Sequence, residues 1–174
     1  SGLLRPIYRR PQLRPTKPND REPLVSARYS RRFDRETVAY HRTIYDTVVK
    51  PHPEFLSEKV PLRAYNRELQ QLKAVFSPFG WGEICFRDFE AFSNGAVLLK
   101  PSMHHLETWP DMYRDGETYL SVDWDSTDLQ TKALSLLQDN DRIQRITETA
   151  LDQFLSAFDS AENQLELLVQ ELVS

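Results

Sequence analysis

From residue 62 onward two hydrophobic patterns take turns along the chain. Leu62, Tyr65, Leu69 and Leu72 are separated by steps of three, four and three, the spacing of one helix face, and Pro61 ahead of them suits a first helical turn. AVFSP (74–78) then breaks the period with a short apolar run that reads as a buried strand. Phe79 to Glu83 reads as a tight turn. Ile84 to Asn94 returns to helical spacing, and Gly95 is placed to end it. AVLLK (96–100) is an uninterrupted apolar run, as a strand covered on both faces requires. Asp115-Gly116 marks a turn before ETYLSVDW (117–124), a further strand. Ser126 or Thr127 is placed to cap a helix that turns Leu129, Ala133, Leu136 and Leu137 inward. Ile143, Ile146, Ala150, Phe154 and Phe158 form a stripe on the next helix, and Leu165, Leu168, Val169 and Leu172 form one on a last helix.

Upstream, PLVSARYS (23–30) accommodates a short strand. Asp34 is placed to cap a helix that carries Val38, Ile44, Tyr45 and Val48 near one face, and Pro51 and Pro53 end it. Residues 3–23 hold five prolines and no usable apolar period, which predicts an extended arm. The expected organisation is an arm over 1–23, one α/β domain over 24–158 and a C-terminal helix over 159–174. Alternating helix and strand predicts a parallel sheet flanked by helices.

A chain of 174 residues with 40% hydrophobic and 28% charged positions is long enough for one folded domain with a real core. A net charge of −4 gives no support to nucleic-acid binding. No run approaches the roughly 20 apolar residues of a membrane span. Cys85 is alone, which leaves no disulfide framework and no cysteine-based zinc site. With no visible signal peptide, the expected location is cytoplasmic. The charge is uneven: residues 1–32 hold nine Lys/Arg against two acids, and residues 139–174 hold eight acids against two arginines. These segments are either solvated faces, or a basic arm that meets an anionic ligand or the acidic end.

The chemistry concentrates in SPFGWGEICFRDFEAFSNGAVLLKP (77–101), which holds three of the five glycines. On a helix through this stretch Cys85, Phe89 and Phe92 share one face, with Phe86 beside them. Glu83, Arg87, Glu90 and Asn94 fall at steps of four, three and four on another face, away from the sheet. One reading is a solvated face with a Glu83–Arg87 pair contributing about 0.3–0.5 kcal/mol. The other is a ligand site: a strand, a glycine turn and a helix N-terminus together suit phosphate. Gly80-x-Gly82-x-x-Cys85 lacks the third glycine of a dinucleotide fingerprint. Asp123-Trp124-Asp125 has the spacing of a divalent-metal DxD motif, although Asp125 also suits the approach to a helix start. His104-His105 reads as a polar loop at the same sheet edge. Trp109 and Trp124 read as packing residues, and Lys100 either meets phosphate or caps the sheet edge.

The stretch resembles the carboxy-terminal, donor-binding domain of glycosyltransferases with the GT-B architecture. It is most similar to the group-1 capsule and lipopolysaccharide sugar transferases and more distantly to exostosin-like ones. MYRDGETYL (112–120) looks like the family's Arg-Asp-Gly-Glu-Thr turn and strand, and DLQTKALSLLQDNDRIQRITETA (128–150) resembles the helices that follow. The match covers 74–158, with 24–73 agreeing in pattern only. The resemblance implies a Rossmann-like domain that binds a nucleotide-sugar and helps transfer the sugar to a glycan or lipid acceptor in polysaccharide biosynthesis. It implies that Glu90, before Ala91, binds the nucleotide ribose. The family's earlier glutamate, usually with seven residues between, contacts the donor sugar; here Glu83 leaves six between and Gly82 holds the expected position. Glu83 and Arg87 are thus the expected catalytic pair, Arg87 facing the diphosphate with its bidentate donors. Gly80, Trp81, Gly82, Glu90, Met103 and His104 are the expected donor-binding residues, with Ser102 in the same loop. No metal and no cofactor beyond the donor is expected. The implied partner is an N-terminal acceptor-binding domain missing from this chain, with possible peripheral membrane contact. Two other readings stay open: a metal-dependent transferase using Asp123 and Asp125, and a non-catalytic protein-interaction module.

Overall fold

The structure, a computed structural model, describes residues 17–30 and 34–173, with side chains through residue 161 and at residues 169 and 170. Most of the basic arm, with Arg31 and Arg32, and the side chains of Leu165, Leu168 and Leu172 lie outside the described residues.

Five strands form one all-parallel sheet: β1 (Glu22–Ser26), β2 (Phe55–Leu56), β3 (Leu72–Phe76), β4 (Val97–Pro101) and β5 (Leu120–Val122). Their spatial order is β2-β1-β3-β4-β5. The helices are α1 (Glu36–Val49), α2 (Leu62–Gln71), α3 (Phe86–Asn94), α4 (Leu129–Leu137) and α5 (Asn140–Val173). The α/β arrangement with a parallel, doubly covered sheet is therefore as the alternation predicts.

The period-two geometry of the strands divides the core. Ala74, Phe76, Val97 and Leu99 point to one face, where Tyr45 and Val49 of α1, Leu129 and Leu136 of α4 and Ile143 of α5 cover them. Val75 and Leu98 point to the other, beneath Leu69 of α2, Ala91 and Phe92 of α3 and Phe154 of α5. Every residue of β3 and β4 is buried, which is why these strands read as continuous apolar runs. Gly95 ends α3 in the left-handed conformation (φ 66°), with its N–H on the Phe92 carbonyl.

Several boundaries differ from the pattern. The chain enters the sheet at Glu22, inside the expected arm, and Pro23 sits where the β1–β3 register shifts between Glu22 and Val25, a place that tolerates a missing N–H. Arg21 is buried and donates to the Leu69, Leu72 and Asn94 carbonyls, so one guanidinium closes the ends of both α2 and α3; burial lowers its pKa to about 10. Asp34 does not cap α1. The capping position is Arg35, without a side-chain bond, and the inward face is Arg42, Tyr45, Asp46 and Val49. Leu62 is exposed at the start of α2. β5 spans three residues of the expected eight. The cap of α4 is Asp128, whose carboxylate accepts the Asp123 N–H, while Ser126 takes a positive φ of 63° in the preceding turn. The two expected C-terminal helices are one, because no glycine or proline interrupts residues 140–173.

Candidate functional site

Because all five strands run the same way, the loops that follow them meet along one edge. β1 and β3 are neighbours there, yet the chain leaves β1 for α1 on one face and leaves β3 for α3 on the other. The two loops diverge and leave a crevice, the usual ligand position in open parallel sheets. Two cavities flank it. The smaller, about 390 Å³, lies between Arg35 and α1 (Val38, His41, Tyr45), the loop Phe79–Glu83 and Trp124. The larger, about 690 Å³, lies between Arg28–Ser30 after β1, Ser57–Val60 after β2, the start of α2 with Tyr65, and Arg87.

Arg42 stands at the divide. Its Nη1 donates to the Ser30 carbonyl at 2.6 Å, and its Nε and Nη2 donate to the Phe79 carbonyl at 3.1 and 2.9 Å. Ser30 borders the larger cavity and Phe79 the smaller. The guanidinium lies 5.8 Å from the centre of the Tyr29 ring, and Tyr29 is itself held by Asp46 at 2.9 Å. Burial and then the charge of Arg87 lower the Arg42 pKa. The hydrophobic pattern gave no reason to select this residue: an arginine on an inward helix face counts there as solvent-facing.

The expected site residues divide between the cavities. Gly80, Trp81, Gly82 and Glu83 line the smaller one. Gly80 N–H closes a turn on the Gly82 carbonyl, and Arg35 donates to the Trp81 carbonyl at 2.7 Å. Nothing in the fold demands glycine at Gly82: its φ is not positive, and an added Cβ would meet no atom within 4 Å. Glu83 belongs to the loop, not to α3, which begins at Phe86. The wheel therefore does not carry Glu83 next to Arg87. Glu83 Oε1 instead meets His105 Nε2 at 3.2 Å, and His105 packs edge-on to Trp124.

Arg87 turns to the larger cavity, where it donates to the Arg28 carbonyl at 2.5 Å; its buried Nε has no hydrogen-bond partner. Glu90 accepts from the Tyr65 hydroxyl at 2.7 Å, so it stands behind Tyr65 and not in the cavity wall. Arg28 is held by both oxygens of Glu68, at 2.8 and 2.7 Å.

Other expectations are corrected. Met103 is 1% exposed and joins the core beside Met112 and Tyr119, as an apolar side chain should; its N–H donates to the Tyr119 hydroxyl and its carbonyl accepts from Leu106 N–H. His104 is exposed, pairs with Ser102 Oγ at 2.8 Å and lines neither cavity. Phe86 is 89% exposed, because Cys85 in extended conformation is the cap and α3 starts beyond it. Trp109 is exposed at the loop edge, whereas Trp124, also partly exposed, packs edge-on to Phe79 and His105 and its indole N–H holds the Ser102 carbonyl. Asp125 accepts from the N–H and hydroxyl of Thr127, and these bonds hold its pKa low. Among the described residues no three His, Cys, Asp or Glu side chains are grouped to hold a metal ion.

Lys100 is neither a phosphate ligand nor an edge cap. It is wholly buried and meets Asp88 Oδ2 at 3.1 Å and Oδ1 at 3.3 Å. Asp88 also accepts from Ser77 Oγ (2.6 Å), Tyr113 OH (2.7 Å) and Cys85 N–H (3.0 Å). The Asp88–Cys85 bond is half of a capping box from Cys85 to Asp88, a Cys-x-x-Asp variant of the usual Ser/Thr-x-x-Glu/Gln signal.

Buried tyrosines around the cavities carry a pH signature. Burial, then Asp125, pushes Tyr45 up to about 12; burial, then the Glu90 bond, pushes Tyr65 up to about 12. Both are neutral in the folded and unfolded chain below pH about 10, so their contribution is complete there. Between about 10 and 12 only the unfolded form ionises, and the contribution is lost as pH rises through 12. The midpoint of urea unfolding is expected to hold up to about pH 9.5 and then fall, as the unfolding free energy drops by up to about 2 kcal/mol per tyrosine. A midpoint unchanged at pH 11.5 would show these hydroxyls to be open to water.

No model of a known protein family matches the chain, and no curated protein matches it. No helix among the described residues is long and apolar enough to cross a membrane.

Proposed function

We propose that the chain is the donor-binding domain of a GT-B glycosyltransferase and takes a nucleoside-diphosphate sugar at the carboxyl edge of its sheet. The observation that carries this reading is the crevice where the β1 and β3 loops diverge, with a cavity on each side and Arg42 beneath the divide. The larger cavity has the volume of a small-molecule site, roughly 300–1,000 Å³. In this reading the nucleoside occupies it, with the ribose hydroxyls toward Tyr65, whose hydroxyl Glu90 holds from behind. The diphosphate crosses the divide past Arg87 and the open backbone of Gly80–Gly82. The sugar reaches the smaller cavity near Glu83. Arg87 and the loop amides balance charge on the departing diphosphate. The acceptor glycan or lipid, and any base that deprotonates it, come with an acceptor-binding domain.

Calorimetry with UDP-, GDP-, ADP- and CMP-sugars, with Mn²⁺ and with chelator, tests this. At least one donor is expected to bind with or without chelator. Glu90→Ala is expected to weaken it by about 1–3 kcal/mol through loss of a buried hydrogen-bonded partner. Gly82→Ala, which the fold accommodates, is expected to weaken it with the melting temperature unchanged. Binding abolished by chelator would move the site to Asp123 and Asp125. A second reading rests on Trp81, Ile84 and Phe86, which are 67%, 47% and 89% exposed on one short segment. A protein-interaction module would present such a rim, and it predicts no binding across the donor panel.

A further inference from the structure

We infer that Asp88 and Lys100 are positioning residues that hold the ligand-side loop Ser77–Cys85 from below, with Tyr113 tying in the loop between β4 and β5. The inference rests on the donor-binding reading for its functional consequence only; its structural content stands apart from it.

The two charged side chains are 0% exposed, so neither can meet a ligand directly. What they do instead is visible in their partners. Ser77 donates its hydroxyl to Asp88, and its carbonyl accepts from Lys100 Nζ at 3.4 Å. Cys85, at the other end of the loop, gives its N–H to Asp88. Phe79, between them, lies with its ring centre 5.1 Å from Lys100 Nζ, and the same residue borders the smaller cavity. The loop is thus pinned at both ends and in the middle by one ion pair. Gly80, Trp81 and Gly82 span the part between pins, where Gly82 has no side chain of its own to restrain it and Trp81 projects into solvent. Tyr113 enters from a different loop, with its ring edge-on to Phe92 and Tyr119 and its hydroxyl on Asp88. Burial, then the carboxylate of Asp88, pushes the Tyr113 hydroxyl well above the usual tyrosine range, which keeps it a donor. A carboxylate that accepts from four side-chain and backbone groups is more than a lone ion pair requires. It fixes which way the glycine backbone faces.

The test separates positioning from mere stability. The single variant Lys100→Met leaves a buried carboxylate without its cation. The double variant Asp88→Asn/Lys100→Met removes both charges, keeps an oxygen for Cys85 N–H, and is expected to recover most of the lost melting temperature. The loop is expected not to recover. Hydrogen exchange of the ligand-free double variant should be roughly tenfold faster over residues 79–83 and unchanged in β3 and β4. Affinity for the donor sugar selected in calorimetry should fall by about tenfold, since a loosened loop must be ordered on binding. Exchange over 79–83 within about twofold of the parent in the stable double variant overturns the inference. Tyr113→Phe keeps the ion pair and serves if the double variant does not fold: exchange roughly threefold faster and confined to the loop supports the role, and unchanged exchange overturns it. If the parent protein binds no donor, the donor reading fails, while exchange still decides the role of the pair.

Discussion

Lys100→Met is expected to lower the free energy of unfolding by about 3–5 kcal/mol, read from urea unfolding with an unchanged slope. The size follows from burial. Lys100 and Asp88 are 0% exposed, so the pair is out of reach of bulk solvent that would stabilise a lone charge. Removing the cation leaves a carboxylate that still accepts from Ser77, Tyr113 and Cys85. Those three bonds put the expected loss toward the lower end of the range. Lys50 offers the contrast. It pairs with Asp46 at 3.1 Å, but its side chain is 50% exposed, and Lys50→Met is expected to cost less than about 1 kcal/mol. A similar cost for both substitutions would mean that water reaches Lys100, and the pinning of the loop would lose its basis. Overpacking is not a competing cause, because methionine is shorter than lysine and follows the same stem.

The parts of the fold that were legible were those where burial is complete or a residue type has one job. β3 and β4 show as apolar runs because both faces are covered, and Gly95 shows as a helix end because the left-handed position favours glycine. The parts that were not legible involve polar groups turned inward. α1 buries Arg42 and Asp46 beside Tyr45 and Val49, so its inward face has no clean apolar stripe. The last two stripes, Phe154–Phe158 and Leu165–Leu172, are spaced by seven from Phe158 to Leu165, two full turns, and no breaker lies between them. They continue one helix. At the site, the spacing of polar residues continues back through Glu83, although Cys85 is the capping residue. That single extension produced a Glu83–Arg87 pair which the structure resolves into two cavities. Asp88 is hidden in the sequence for the opposite reason: three residues beyond a cap, an acid reads as ordinary helix chemistry, and its partner Lys100 lies on β4.

Arg42→Met is expected to affect both cavities at once. The arginine spans two carbonyls that belong to different loops, Ser30 after β1 and Phe79 after β3. A methionine fills similar volume and supplies no donor, so both carbonyls lose a charge-assisted partner, at about 1.5–3 kcal/mol for each bond replaced by nothing. Part of this is offset, because the fold no longer has to bury a cation whose pKa is already lowered by desolvation and by Arg87. A net stability loss of about 2–3 kcal/mol is expected. If a nucleoside-diphosphate sugar crosses this divide, its affinity should fall by about 10- to 100-fold, equivalent to about 1.4–2.8 kcal/mol. Arg42→Lys should recover little of either, since one ammonium cannot hold two carbonyls with the geometry of a planar fork. Arg35→Met sets the baseline: Arg35 is exposed and, among the described residues, its side chain holds the Trp81 carbonyl alone, so its stability cost should stay within about 0.5 kcal/mol. Donor affinity unchanged in a folded Arg42→Met protein would place the ligand wholly within one cavity. The crossing of the divide, and with it the assignment of nucleoside and sugar to opposite sides of Arg42, would then have to be withdrawn.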